Sequence, residues 1–150
     1  MTSFIGDYTC KVDAKGRIML PATFKKQMPA GAEDKFVVKK DIYENCLTLF
    51  PIDEWKRQNE KLRKRANPYS KEGGRFLRGF YKGAAEIELD ASNRFLVPRR
   101  LLDEVNISKE AVLAGQDGKI ELWNKNEYEG YDIDVELAEK FMRESMNNDE

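Results

Sequence analysis

Two segments carry the same spacing of chemically capable residues, Asp13-Ala-Lys-Gly-Arg17 and Asp90-Ala-Ser-Asn-Arg94. An aspartate accepts turn amides, and an arginine four residues on can fold back to pair with it. That arrangement can serve a turn and nothing else. It can also hold a guanidinium ready for a phosphate or for the O6/N7 edge of guanine. Asp13, Gly16, Asp90 and Asn93 are the residues expected to shape the two loops. Gly16 reaches positive φ without strain, and asparagine is the next best residue there. Lys11, Lys15, Arg17 and Arg94 are the residues expected to meet a polyanion, with Lys25 and Lys26 extending the cationic zone around the first loop. Ser92 stands where the first loop has Lys15, so the first loop is expected to contribute the greater affinity.

Other chemistry is poorly supplied. The chain has no histidine, which removes the commonest general base, the orienting residue of Ser-His-Asp or Cys-His sites, and the imidazole ligand of catalytic zinc. Cys10 and Cys46 lie far apart among apolar neighbours, without a CxxC pair; they are expected to be small buried hydrophobes in a reducing compartment. The acidic residues between 127 and 139 match no metal loop. No enzyme activity, cofactor, metal or small-molecule substrate is therefore expected.

The elements that position the two loops come from an internal repeat. Residues 8–21, YTCKVDAKGRIMLP, align without a gap on residues 85–98, AEIELDASNRFLVP, at a shift of 77. After a four-residue length difference, LTLFPIDEW (47–55) falls on IELWNKNEY (120–128). Each copy predicts strands around 8–12 and 17–20 that form a hairpin about the Asp-x-x-x-Arg turn, with a matching pair in the second copy. Pro21 and Pro98 end the strands and suit the start of a short helix, 22–28 or 99–105. A second strand pair follows at 35–39 and 46–50, and at 111–115 and 119–123. Asn124 with Glu127 predicts a capped helix start. A unit of roughly 50 residues buries too little apolar surface alone, so the copies are expected to share one core in a pseudo-twofold barrel. Ile52, Trp55, Asn59, Leu62 and Ala66 mark one helix face, and Phe76, Leu77 and Phe80 another, weakened by Gly73 and Gly74. Val135, Ala138, Phe141, Met142 and Met146 form a third stripe, expected to pack on the core or on another subunit.

Charge is segregated along the chain. The total is -1, but residues 56–82 hold 10 basic against 2 acidic residues, and residues 126–150 hold 2 against 9. The basic stretch fits a polyanion partner, a solvated helix face, or the acidic stretch of a neighbouring subunit. The N-terminal residues lack a basic and apolar leader, and no stretch approaches the roughly 18 apolar residues of a membrane span, so a cytoplasmic protein is expected.

DAKGRIMLP, its echo DASNRFLVP, the intervening RFLRGFYKGAAEIELD and the LTLFPIDEW segment together resemble the MraZ family of bacterial transcriptional regulators, within the SpoVT/AbrB-like superfamily. The resemblance runs from about residue 4 to 145. It implies a mainly β fold with α (α+β), a duplicated swapped-hairpin AbrB-like double-split β-barrel with peripheral helices. The implied division is 4–55 and 83–128 for the two SpoVT/AbrB-like repeats, 56–82 for a basic helical connector, and 129–150 for an acidic C-terminal helix or tail. It further implies a ring-forming homo-oligomer, associated with the nucleoid, that binds double-stranded DNA at short promoter tandem repeats. The expected target is the division and cell-wall gene cluster that begins with the protein's own gene, and the expected action mostly repression. By the same resemblance, Asp13, Lys15 and Arg17 fall in the first DNA-facing loop, and Asp90 and Arg94 in the second. AbrB-like folds also occur in antitoxins that bind a protein partner through a tail, which leaves an interaction module as the alternative.

Overall fold

The structure, a computed structural model, describes residues 2–148. Asp149 and Glu150, the end of the acidic segment, lie outside the described residues. The chain runs β1 (Asp7–Lys11), β2 (Arg17–Met19), α1 (Ala22–Gln27), β3 (Lys35–Lys40), β4 (Leu47–Pro51), α2 (Ile52–Arg65) and α3 (Lys71–Tyr81). It continues through β5 (Ala85–Glu88), β6 (Arg94–Leu96), α4 (Arg99–Glu104), β7 (Glu110–Gln116), β8 (Lys119–Asn124), α5 (Lys125–Glu129) and α6 (Val135–Asn148). This is a mixed α/β fold. Six strands form one antiparallel sheet in the order β1-β7-β8-β4-β3-β5, and β2 and β6 form a separate two-stranded ribbon.

The strand partners correct the sequence reading. β1 pairs with β7, from Asp7 opposite Ala114 to Lys11 opposite Glu110, while β5 pairs with β3 and β2 with β6. The second strand pairs form as expected, β3 with β4 and β7 with β8, whereas each Asp-x-x-x-Arg hairpin keeps its turn but its strands take partners in the other half of the chain. Of the first, only a bridge between Val12 and Ile18 remains. A two-stranded hairpin with a three-residue strand, ended by a proline, is marginal in water. Laying β1 on the seven-residue β7 satisfies more backbone and buries more side chain. The strand ladders do not close into a barrel. The large sheet is open, because the turns break the ladder between β1 and β2 and between β5 and β6.

The core draws on both halves. Leu47 and Leu49 of β4, Ile120 and Leu122 of β8, and Ala111 and Leu113 of β7 face one side of the sheet, where Ile18 and Phe95 come down from the ribbon to meet them. Phe24 of α1 sits edge-on to Phe4 and Tyr8. The alternate residues Val112, Ala114 and Trp123 join Cys46 in a smaller cluster on the opposite face. Cys46 is fully buried as expected, whereas Cys10 is only half-buried.

Helix ends follow local chemistry. Pro21, Pro51 and Pro98 occupy the N-cap positions of α1, α2 and α4, one residue ahead of the helix. The Glu127 amide donates to Asn124 Oδ1 at 3.0 Å, while the Glu127 carboxylate accepts from Asn45, so only half of the capping box forms. Gly73 is required by contact: a Cβ there would lie 1.9 Å from the Asn67 carbonyl oxygen. The glycine that weakens α3 by propensity is what lets the helix start against its own loop. Trp55 of α2 lies against Phe50 and stacks on Phe80 of α3. The third apolar stripe does not pack on the core: on α6, Val135, Phe141, Met142 and Met146 are all exposed.

Candidate nucleic-acid interface

Each Asp-x-x-x-Arg segment closes a turn on its own backbone. The Asp13 amide donates to the Arg17 carbonyl, and the Gly16 amide to the Asp13 carbonyl, both at 3.0 Å. Asp13 Oδ1 accepts the amides of Lys15 and Arg17 at 2.9 Å. The second turn repeats these bonds, with the Ser92 and Arg94 amides donating to Asp90 Oδ1. Gly16 has φ +91 and Asn93 φ 59, the left-handed conformation expected of both. Gly16 carries a second constraint, because a Cβ would stand 2.8 Å from the Val97 carbonyl oxygen. That closeness has a purpose. The Gly16 carbonyl accepts the Val97 amide and the Asn93 carbonyl accepts the Leu20 amide, so each turn is stitched to the opposite strand of the ribbon.

The arginines differ. Arg17 Nε donates to Asp13 Oδ2 at 2.7 Å, and its Nη groups donate to no described residue. Arg94 Nε lies 3.4 Å from Asp90 Oδ2, and this buried nitrogen makes no hydrogen bond among the described residues. The first guanidinium is therefore held, and the second is only attracted. Both aspartates titrate below the usual carboxylate range, chiefly because the arginine backbone amide donates to them; Asp13 falls from 3.8 to about 2. A lowered folded-state pKa stabilises the turn above the unfolded value, and the effect is lost as pH falls from 3.8 through about 2. The Lys15 and Arg17 amide resonances should hence stay fixed between pH 7 and 4 and move only on further acidification, as an NMR titration would read.

The two arginines share one face. β2 and β6 pair with Arg17 opposite Leu96, Ile18 opposite Phe95 and Met19 opposite Arg94. Arg17, Met19 and Arg94 line a shallow depression with Lys11, Lys109, Asp13 and Glu110. Lys15 is exposed at the tip of the first turn. Lys25 is instead taken up by an ion pair with Asp34, which narrows the expected cationic zone. Sequence reasoning missed Lys109 and Arg99. The first arrives because β1 lies on β7, where the Val12 amide donates to the Lys109 carbonyl. The second donates from Nη2 to the Ala14 carbonyl at 3.3 Å, placing a cation of the second half beside the first loop. Neither carried a local signal, since both depend on pairing between halves.

Among the described residues, Asp41, Cys46 and Glu121 could present metal-ligand atoms within 4.8 Å of one another. Their lone pairs have other work: Asp41 accepts the Tyr43 and Glu44 amides and the Thr48 hydroxyl, and Glu121 accepts the Trp123 indole. Burial pushes the Cys46 thiol up, away from the thiolate a metal needs. No described helix is long and apolar enough to cross a membrane.

A family model described as "MraZ protein, putative antitoxin-like" matches residues 3–78 and 80–147. The chain is 37% identical over 147 residues to a transcriptional regulator MraZ of Christiangramia forsetii, covering 95% of this chain and 94% of that protein. It is 37% identical to the protein of the same name from Flavobacterium psychrophilum, covering 100% of this chain and 98% of the relative. With that of Acetivibrio thermocellus the identity is 33%, over 95% of this chain and 96% of the relative. With a doubled Asp-x-x-x-Arg turn, a ribbon built from both halves and matches along nearly its whole length, this chain belongs to the MraZ family.

Proposed function

We propose that this protein is a transcriptional regulator that binds double-stranded DNA in a sequence-specific manner through the β2–β6 ribbon and its two turns. The observation that carries the reading is one ribbon face presenting both Arg17, hydrogen-bonded to Asp13, and Arg94, ion-paired with Asp90. A two-stranded antiparallel ribbon fits the major groove. Arg17 and Arg94 contact base edges or phosphates, and Lys11 and Lys15 contact phosphates. The strand exchange between halves supports an AbrB-like swapped-hairpin core spanning 4–55 and 83–128, with 56–82 as basic connector and 129–150 as acidic end.

One ribbon offers few contacts, so affinity comes from several copies on repeated boxes. A spacing near one helical turn, about 10 bp, lets successive copies meet the same groove. We place these boxes upstream of the protein's own gene, at the head of a division and cell-wall gene cluster, with repression as the main effect and the nucleoid of the cytoplasm as the site of action. The basic 56–82 and acidic 126–150 segments give opposite charges for a closed homo-oligomeric ring. A second reading rests on α6, whose exposed Phe141, Met142 and Met146 suit an antitoxin-like protein partner.

Footprinting of the full chain on DNA upstream of its own gene tests the proposal. Regularly spaced protection is expected, with log affinity falling against log salt by about 0.9 for each phosphate neutralised. An absent footprint, or a flat salt response, overturns it in favour of the interaction module.

A further inference from the structure

The ribbon's outer face holds two residues that neither the turns nor the ion pairs explain. Ile18 is fully buried and Phe95 is 1% exposed, so the alternation of side chains along β2 and β6 turns residues 17, 19, 94 and 96 outward together. Met19 is 57% exposed and Leu96 53% exposed. Each stands directly across the ribbon from an arginine, Leu96 opposite Arg17 and Met19 opposite Arg94, within side-chain reach of it. Met19 and Leu96 are themselves counterparts under the shift of 77. The outer face is thus a pseudo-twofold pattern of arginine and large apolar residue, repeated with opposite polarity. Two apolar side chains left in water beside two arginines stabilise nothing in the isolated chain.

Resting on the DNA-binding reading above, we propose that Met19 and Leu96 are specificity-determining residues that recognise the 5-methyl group of thymine in the major groove. The charge around them favours a polyanion over an apolar protein partner: Arg17 and Arg94 share their face, and the depression that Met19 lines with them holds Lys11 and Lys109, its two carboxylates being already engaged, Asp13 by Arg17 and Glu110 by Lys125. Within the major groove, the apolar feature that base edges offer is the thymine methyl, beside the guanine O6/N7 pair that suits arginine. The dimensions agree. Residues two apart on a strand are about 6.8 Å apart, which equals about two base steps of 3.4 Å. Arg17 and Met19 therefore read positions about two base steps apart on one side of the pseudo-dyad, and Arg94 and Leu96 do the same on the other.

The test replaces thymine by uracil, position by position, in a box protected by the full chain; this deletes the methyl and leaves base pairing intact. The parent protein should lose roughly fourfold in affinity at each contacted thymine, the worth of one buried methyl-sized group. The Met19→Ala/Leu96→Ala variant should bind thymine and uracil boxes alike, and Met19→Leu/Leu96→Met should restore the discrimination. An unchanged melting curve for the alanine variant excludes misfolding; if it misfolds, Met19→Ala and Leu96→Ala singly should each lose discrimination on one side of the dyad only. Equal affinity of the parent for both DNAs, or equal sensitivity of parent and alanine variants, overturns the proposal while leaving DNA binding intact. Absence of any DNA binding by the parent overturns both.

Discussion

Arg17→Ala is expected to weaken binding to tandem boxes by about 25-fold or more, while the melting temperature stays within about 2 °C of the parent. The stability side follows from exposure. The Asp13–Arg17 pair sits at a solvent-facing turn, where ion pairs contribute little, and Asp13 keeps its bonds to the Lys15 and Arg17 amides when the guanidinium is gone. The binding side follows from geometry and valency. An arginine bidentate to guanine is worth about 1–3 kcal/mol, roughly 5- to 150-fold for each subunit engaged. Copies tied into one assembly multiply that factor, so two engaged subunits already lose about 25-fold at the low end. Arg94→Ala should cost less. Its Nε is not hydrogen-bonded to Asp90, and Ser92 has no charge to offer a phosphate where the first loop carries Lys15. Anisotropy titrations on one-box and two-box DNA would measure both variants. A larger loss for Arg94→Ala than for Arg17→Ala would reverse the ranking of the two loops.

That ranking is an expectation drawn from the sequence, where the difference between the loops is local: a serine stands in place of the lysine and an asparagine in place of the glycine within one turn. Turn chemistry acts over four or five residues, so Asp13, Gly16, Asp90 and Asn93 take their expected conformations. Strand partners are another matter. Period-two alternation says which face of a strand is buried and nothing about which strand lies beside it. RIML reads as an apolar strand end, and only the inward fixing of Ile18 against Phe95 reveals that Met19 must point out beside Arg94. Lys109 and Arg99 reach the first loop through the same exchange between halves. The stripe on α6 shows a related limit. Amphipathicity identifies a face that wants cover, but Phe141 and Met142 remain exposed within a single chain.

Phe95→Ala should be the most destabilising substitution on the ribbon, and it should take DNA binding with it. Phe95 lies opposite Ile18 and tilts against Phe36 of β3 at a centroid distance of 6.4 Å. A three-residue strand forms few ladder bonds, so the seating of β6 depends on the burial of this ring more than on its backbone. Truncating a buried phenylalanine costs about 3–5 kcal/mol, from lost transfer energy and from the cavity left behind. Domains have only about 5–15 kcal/mol in total. A drop in melting temperature on the order of 10 °C follows for a chain of this size. Because the core beneath the ribbon is drawn from both halves, unfolding should remain a single transition, with no stage in which one half melts alone. Ile18→Val, which removes one methyl from the partner position, should cost about 0.5–1.5 kcal/mol and leave binding nearly intact. The contrast with Arg17→Ala would separate the two duties proposed for the ribbon: an inner face that holds the halves together and an outer face that meets DNA. If Phe95→Ala melted within a degree or two of the parent, or in two steps, the ribbon would not be the clasp between the halves, and the orientation of Arg17, Met19, Arg94 and Leu96 would need another cause.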